Sequence, residues 1–297
     1  MIDPVLIART QDFLDSNGFA DGLFEAGVCG LKVLRRHAPS DLEAILYEPL
    51  LCLILQGAKE TRAAARPVPL VAGQSLIVSH HLPVVSRITE ATADRPYLAL
   101  VLPLNLAWLR DLQGELGDTG SVTGDVTALS AHAADPALVE AFHRLLALAL
   151  RPDEAPVIGP LVARELHARA LMAPHGTMLR RLLMRESQAS RIARAIARIR
   201  DNPADALTVG DLAGAAGMSA SSFHEHFKAV TGTTPLQYQK DLRLLEAQRL
   251  LLDAGRTVSA IAYDVGYESP NQFSREYRRK FGVPPRDDRG RVPVEAV

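Results

Sequence analysis

Residues 208–235 read TVGDLAGAAGMSASSFHEHFKAVTGTTP, and residues 257–285 read TVSAIAYDVGYESPNQFSREYRRKFGVPP. The second stretch repeats the first. Thr208-Val209 recurs as Thr257-Val258, Ala213 as Ala262 and Gly217 as Gly266, all at an offset of 49. After one inserted residue the offset is 50: Phe223 recurs as Phe273, Phe227 as Tyr277, Lys228 as Arg278, Gly232 as Gly282 and Pro235 as Pro285. Within each copy the pattern is a short helix, a glycine turn and a second helix.

The local chemistry supports that reading. Thr208 fits a helix cap with Asp211 at the third helical position, an acid-bearing variant of the reciprocal capping box. Leu212, Ala213 and Ala216 make a buried face on which small residues admit a second helix closely. Gly217 supplies the positive φ that a tight interhelical turn requires. Ser219 then caps a helix over 220–230, with Phe223 and Phe227 inward and Ala220, Ser221, His224, Glu225 and Lys228 outward. The second copy places Ser269, Pro270 and Gln272 at the cap, first and third positions of a helix start and is read as the better capped. Phe273, Tyr277 and Phe281 mark its inner face; Asn271, Gln272, Arg275 and Arg278 mark its outer one.

Between the copies, Thr234-Pro235-Leu236-Gln237 opens a linker helix that runs to about Asp253. Leu242, Leu245 and Leu252 are expected inward, and Lys240, Arg243 and Arg249 outward. The nineteen residues from 235 to 253 span ~28 Å at ~1.5 Å each. With the packing of the end units, that length sets two second helices about one DNA turn (~34 Å) apart. Tandem helix-turn-helix units thus predict a DNA reader, because the second helix of such a unit presents its first turns to base edges in the major groove. Lys228, Arg278 and Lys240 are the candidates for phosphate contact. Gln272 has a competing task, since a capping-box side chain folds back to the Ser269 amide.

Outside this region the texture changes. Residues 1–20 read as a helix or arm. From about Leu23 to Val101, short apolar runs at Leu31–Leu34, Leu50–Leu55, Ser75–Val78, Val84–Ile88 and Tyr97–Leu102 are separated by turn residues, which predicts a small β sandwich or barrel. Segments 105–116, 136–151 and 157–172 have helical spacing, and 178–200 is an Arg-rich helix or helix pair. The domains are therefore 1–186 and 187–297, an α+β chain with a β-rich front and an all-α back.

The formal net charge of −1 conceals an asymmetry. Residues 187–297 carry 16 Lys+Arg against 13 Asp+Glu, leaving +3, while residues 1–186 carry 17 against 21, leaving −4. An acidic front and a mildly basic back suit two tasks on one chain. The two cysteines, Cys29 and Cys52, make no disulfide framework. The amino terminus lacks the basic charge of a signal peptide, and no apolar run approaches the ~20 residues of a membrane span. The expectation is a soluble, cytoplasmic protein with no membrane partner.

The run Phe223-His224-Glu225-His226-Phe227-Lys228-Ala229-Val230-Thr231-Gly232 resembles the first unit of the AraC/XylS family of bacterial transcription regulators. So do Pro235-Leu236-Gln237-Tyr238 and the segment from Gly266 to Tyr277. In the front half, Leu46-Tyr47-Glu48-Pro49, Leu55-Gln56-Gly57, Ser79, Leu82-Pro83 and Pro96-Tyr97-Leu98-Ala99-Leu100 resemble the amino-terminal domain of one AraC-type subgroup. The resemblance implies a cupin-like β-barrel with following helices that senses a small-molecule effector or mediates dimerisation. Its partners would be double-stranded promoter DNA, RNA polymerase and a second copy of the chain. It also implies that Ser221, His224 and Glu225 of the first unit, and Asn271, Gln272 and Arg275 of the second, face bases. Glu225 stands where many relatives carry a basic residue. A carboxylate there either accepts from a cytosine amino group or points away.

His80-His81 invites a metal site, but adjacent residues on a strand point to opposite faces, so no metal or other cofactor is expected. An enzyme with a cupin site and a DNA-tethering tail lacks its ligand set; an adaptor whose helical units no longer bind DNA has only Glu225 in its favour. Cys52 reads as a small buried hydrophobe more than a redox sensor. Arg35-Arg36-His37 and Arg180-Arg181 read as solvated charges before an acidic-effector site.

Overall fold

The computed structural model describes residues 2–63, 66–117, 127–253 and 255–289; the last eight positions of the expected back domain lie outside these. The chain opens with α1 (Pro4–Ser16), whose first turn is capped by the Asp3 carboxylate accepting from the Val5 amide at 2.8 Å. The strands β1 (Gly22–Glu25), β2 (Lys32–Arg36), β3 (Glu43–Tyr47), β4 (Leu50–Gln56), β5 (Ala58–Ala63), β6 (Arg66–Val71), β7 (Gln74–Val78), β8 (Leu82–Glu90) and β9 (Tyr97–Pro103) follow. After α2 (Leu106–Leu116) comes β10 (Leu129–Ala133), and the rest is helical: α3 (Pro136–Leu148), α4 (Ala155–Met172), a 3-10 turn at Pro174–Gly176, α5 (Thr177–Leu183) and α6 (Gln188–Asp201). The two echoed units supply α7 (Val209–Ala215) with α8 (Ala220–Thr231), and α10 (Val258–Asp264) with α11 (Pro270–Phe281), on either side of the linker helix α9 (Pro235–Leu250).

The strands form two antiparallel sheets, in the orders β1-β2-β9-β4-β7-β10 and β3-β8-β5-β6. The apolar run Leu50–Leu55 is buried throughout because both faces of its sheet are covered. Alternation sends Cys52 and Ile54 inward with Leu76, Val78, Ala99 and Val101. Leu51, Leu53, Leu55, Leu98 and Leu100 go to the other face, under the helices. The five expected strand runs fall on β2, β4, β7, β8 and β9, with Leu31 just ahead of β2. The less apolar β5 and β6 gave no such signal. Pro67 and Pro69 sit in β6 because it is an edge strand, where a missing ladder donor is tolerated.

The apolar core does not stop at the end of the barrel. One cluster runs from Leu34, Tyr47 and Leu82 inside the barrel through Ala189, Ile192 and Ile196 of α6 to Phe223, Phe227, Tyr238 and Leu242. The second unit has its own core, made by Leu244, Ala247, Leu251, Ile261, Phe273 and Tyr277. The linker helix is thus buried on several sides: Tyr238 and Leu242 serve the first unit, Leu244 and Ala247 the second.

Three residues sit otherwise than the sequence predicts. Arg35 is not a solvated charge. It is 4% exposed, donating to the Ala20 carbonyl at 2.7 Å, to Asp15 at 2.6 Å and to the Phe19 carbonyl. Arg180 likewise turns back on the end of α4, donating to the carbonyls of Leu171 and Ala173 and to the Thr177 hydroxyl. On the linker helix Leu252 lies beyond the last helical turn and is 41% exposed.

Candidate nucleic-acid interface

Each unit is built by the same devices. Thr208 and Asp211 form the full reciprocal cap: the Thr208 hydroxyl accepts from the Asp211 amide at 3.1 Å, and the Thr208 amide donates to the Asp211 carboxylate at 3.3 Å. The Thr208 hydroxyl, which also donates to the Asp211 carboxylate at 2.6 Å, and the Thr208 amide together hold that carboxyl below its usual range. Thr257 caps α10 through the Ala260 amide at 3.1 Å. Ser219 caps α8 and Ser269 caps α11, accepting from Ser222 and Gln272 amides at 3.3 and 3.4 Å. Both second helices have 12 residues and end on a left-handed glycine, Gly232 and Gly282.

The second unit is not the better capped, contrary to expectation. The Gln272 side chain does not fold back to the Ser269 amide; its amide nitrogen donates to Glu276 at 3.1 Å. Glu276 explains the difference. It also accepts from Lys240 at 2.9 Å and from the Tyr267 hydroxyl at 2.9 Å. Burial alone raises the Glu276 carboxyl, but these three donors outweigh it and hold the group below its usual range. A charged acceptor inside a ring of donors is a stronger attraction for an amide than a neutral cap.

The inner faces are aromatic. Phe223 and Phe227 are fully buried, 5.5 Å apart between ring centres, and Phe227 meets Tyr238 edge-on at 5.5 Å. Phe273 and Tyr277 repeat the arrangement at 5.5 Å. Burying each such ring is worth ~1.5–3 kcal/mol, so the face of α8 and α11 that points outward is settled. Ser221, His224, Glu225 and Lys228 on α8, and Asn271, Arg275 and Arg278 on α11, are exposed. Their side chains make no hydrogen bond or ion pair with a described residue. Lys240 differs from these. Its ion pair with Glu276 places it against the side of α11 rather than on the open surface.

Arg243 is the residue sequence reasoning misplaced. It was expected outward, but its guanidinium is half-buried and donates to the carbonyls of Pro203, Gly266, Ala204 and Asp205 at 2.7, 2.7, 3.0 and 3.0 Å. Gln239, four residues earlier, donates to Pro203 and Asp205 carbonyls at 2.9 and 2.7 Å. A polar pair at this spacing on one helix face was the available signal.

His80 and His81 serve the contact between the barrel and the first unit. The His80 ring nitrogen Nε2 lies 3.2 Å from the Ala189 carbonyl, and Nδ1 lies 2.8 Å from Ser79 Oγ. Burial pulls His80 down to about 4; burial and the nearby Arg200 pull His81 down to about 4. The Val230 carbonyl accepts from the Ala128 amide at 2.9 Å. Among the described residues no three His, Cys, Asp or Glu side chains gather as a metal site, and no helix is long and apolar enough to cross a membrane. A groove of about 910 Å³ lies between β3 and α9, with Ile45, Leu46, Leu242, Leu245, Arg200 and Pro203 among its walls. A cavity inside the barrel, with Leu34, Tyr47, Cys52 and Tyr97 among its walls, holds about 10 Å³.

Comparison with known proteins agrees with this architecture. Residues 212–291 match a helix-turn-helix domain. The HTH-type transcriptional activator RhaS of Escherichia coli O157:H7 is 36% identical over 104 residues, which are 35% of this chain and 37% of that protein. The chain therefore spans little more than a third of the length of the curated relatives it matches. ToxT of Vibrio cholerae strain SCE256, solved with an unsaturated fatty acid bound, superposes with a TM-score of 0.55 over 90% of this chain and 96% of that one. Its identity is 10%, a likeness of fold alone. ToxT of Vibrio cholerae O395 gives 0.57 over 86% and 96%, again at 10% identity. Residues 27–178, just over half of the chain, match the AraC-type transcriptional regulator N-terminus, and the chain belongs to the AraC-type family of transcriptional regulators.

Proposed function

We propose that this chain is a sequence-specific DNA-binding transcription regulator that lays α8 and α11 in two successive major grooves. One observation carries the reading: two capped helices of equal length, aromatic inside, each present an unpaired polar face. Asn271 and Arg275 discriminate bases, Arg by bidentate bonds to guanine and Asn to adenine. Ser221, His224 and Glu225 form a shorter, less basic surface, in which Glu225 accepts from a cytosine amino group. Lys228 and Arg278 neutralise phosphates. Lys240 reaches a phosphate only by leaving Glu276, and Gln272 reaches a base only by the same release. The working division is 1–186 for sensing and assembly and 187–297 for DNA. The named activator RhaS supports activation, with RNA polymerase and a second copy of this chain as the partners.

A small-molecule effector is part of the proposal. The groove between β3 and α9 is the roomier place for it, since the barrel interior is filled by side chains. Apolar Ile45, Leu46, Leu242 and Leu245 line it beside the carboxylates of Asp201, Asp205, Glu246 and Asp264, and Arg200 is half-buried there without a hydrogen bond or ion pair to a described residue. Arg200 is the cation that an apolar molecule with one acidic group, such as the fatty acid held by ToxT, would pair with. Gel-shift titration of DNA flanking the chain's own gene, against a scrambled duplex, tests the DNA reading. Equal affinity for both duplexes sinks it. Thermal-shift titration with an unsaturated fatty acid, on the native chain and on Leu245→Trp, tests the groove: the native chain gains stability and the filled variant does not.

A further inference from the structure

Both glycine turns are held by an arginine from the long helix before them. Arg191 of α6 donates to the Gly217 carbonyl at 3.0 Å, and Arg243 of α9 donates to the Gly266 carbonyl at 2.7 Å. The likeness ends there. Arg191 otherwise pairs with Glu186, whereas the other bonds of Arg243 go to Pro203, Ala204 and Asp205. Those residues form the loop that leads from α6 into α7, so one side chain on the linker helix holds a piece of each reading unit. The two pieces also touch directly. A methyl group at Gly266 would lie 2.6 Å from the Ala204 carbonyl oxygen and 2.9 Å from its Cα.

We propose that Arg243 is the positioning residue that fixes the distance and phase between the two DNA-reading helices. The inference rests on the DNA-reading proposal above. The planar guanidinium spans four carbonyl oxygens at fixed angles, a task that the single ammonium of lysine cannot reproduce. Its bonds go to main-chain carbonyls only, so they lock geometry rather than balance charge. Two linked modules bind a composite site far more tightly than either alone when their separation matches it, and that gain shrinks as the joint loosens. Arg243 therefore selects operators by spacing while touching no base.

Selection from a pool of random-sequence duplexes about four DNA turns long, with the full chain, tests this. The native chain returns two half-motifs at a single spacing. Arg243→Lys returns the same half-motifs with spacings spread to neighbouring values, and binds the native-spaced duplex about tenfold more weakly. It binds an isolated half-motif as the native chain does. A single unchanged spacing from Arg243→Lys overturns the proposal, and so does loss of the half-motifs themselves in a variant whose melting is unaltered. Should Arg243→Lys fail to fold, Gln239→Ala, which releases the same loop from the same helix, carries the spacing readout. Absence of any motif with the native chain overturns the DNA reading itself, a result distinct from an unmoved spacing.

Discussion

The hydroxyl of Tyr238, on the linker helix, donates to the main-chain carbonyl of His81, immediately before the barrel strand β8, at 2.9 Å. This bond joins the helix between the two reading units to the front of the chain, 157 residues away in sequence. Burial pushes the Tyr238 phenol above the usual range, so it remains a donor throughout the physiological pH range.

Tyr238→Phe keeps the ring against Phe227 and removes only that donor. It should cost about 1–2 kcal/mol, the usual penalty for leaving a buried acceptor unpaired. Urea unfolding measures it. An unchanged midpoint would mean that water replaces the hydroxyl without loss.

Acid should loosen the same contact. His80 and His81 titrate near 4 in the folded chain, against about 6.5 unfolded. The unfolded state therefore binds protons first as pH drops. Stability is full above about 6.5 and falls as pH is lowered toward 4, levelling below. Carboxylates held low, such as Glu276, add their own loss at more acidic pH. His80→Gln should flatten the slope between pH 6.5 and 4.5 in denaturant titrations, and an equal slope in native and variant chains assigns the effect elsewhere.

Gly266 and Gly282 have nearly the same backbone, φ +87° and +79°, yet their surroundings differ. Nothing lies within 4 Å of a methyl group at Gly282, while one at Gly266 meets Ala204 and the Arg243 guanidinium carbon at 3.0 Å. Gly282→Ala should cost about 1 kcal/mol for the left-handed conformation alone. Gly266→Ala should cost about 3 kcal/mol or more, since close overlap adds to the same strain. Comparable melting losses in the two variants would show that the loop at Ala204 yields freely.

Side chains on the outer faces should separate by what they change. Arg275→Ala should lose ~1–3 kcal/mol on the preferred sequence and relax the choice at one base pair. Lys228→Ala and Arg278→Ala should weaken binding to all duplexes evenly, each lowering the salt slope by about one. Lys240→Ala should leave the salt slope unmoved, because its ammonium is already spent on Glu276. A reduced slope for Lys240→Ala would place it on a phosphate after all.

Thiol labelling separates the cysteines. Burial pushes Cys52 up to about 12, and burial raises Cys29 as well. Cys29 is nonetheless exposed and Cys52 buried. One equivalent of a small alkylating reagent should react in the native state and two after unfolding. Native-state labelling of Cys52 would require the barrel to open.

The echo at 49 and 50 residues disclosed both units, their caps and their inner aromatics, because helix caps and buried rings leave local signatures. It disclosed the outer residues for the same reason: once Phe223 and Phe227 are inside, Ser221, His224 and Lys228 have one direction left. What stayed hidden depends on contacts far along the chain. Gln272 turns to Glu276 because Lys240 and Tyr267 already converge there, and no cap rule contains Lys240. Arg243 follows charged-residue habit in sequence, and only the nearness of Pro203 and Gly266 makes it an inner residue. The strand β6 was faint because an edge tolerates proline, and β5, interior to its sheet, was faint because Glu60 and Arg62 pair on its polar side.

The apolar cluster shared by the barrel, α6 and the first unit has a consequence for how this chain comes apart. A duplication made the two units alike, but it did not make them equally independent. Residues of the first unit are wedged into a larger cooperative block, and the second closes on its own small core. Heat or denaturant should therefore release α10 and α11 as a separate early step, visible as amides that exchange with solvent before the remainder. A fragment cut at residue 187 would bare the apolar inner sides of α6 and Tyr238 and clump. The second unit is the portion of this chain that could be exchanged for a relative's, provided the newcomer keeps the glycine that Arg243 holds and the carboxylate that Lys240 meets.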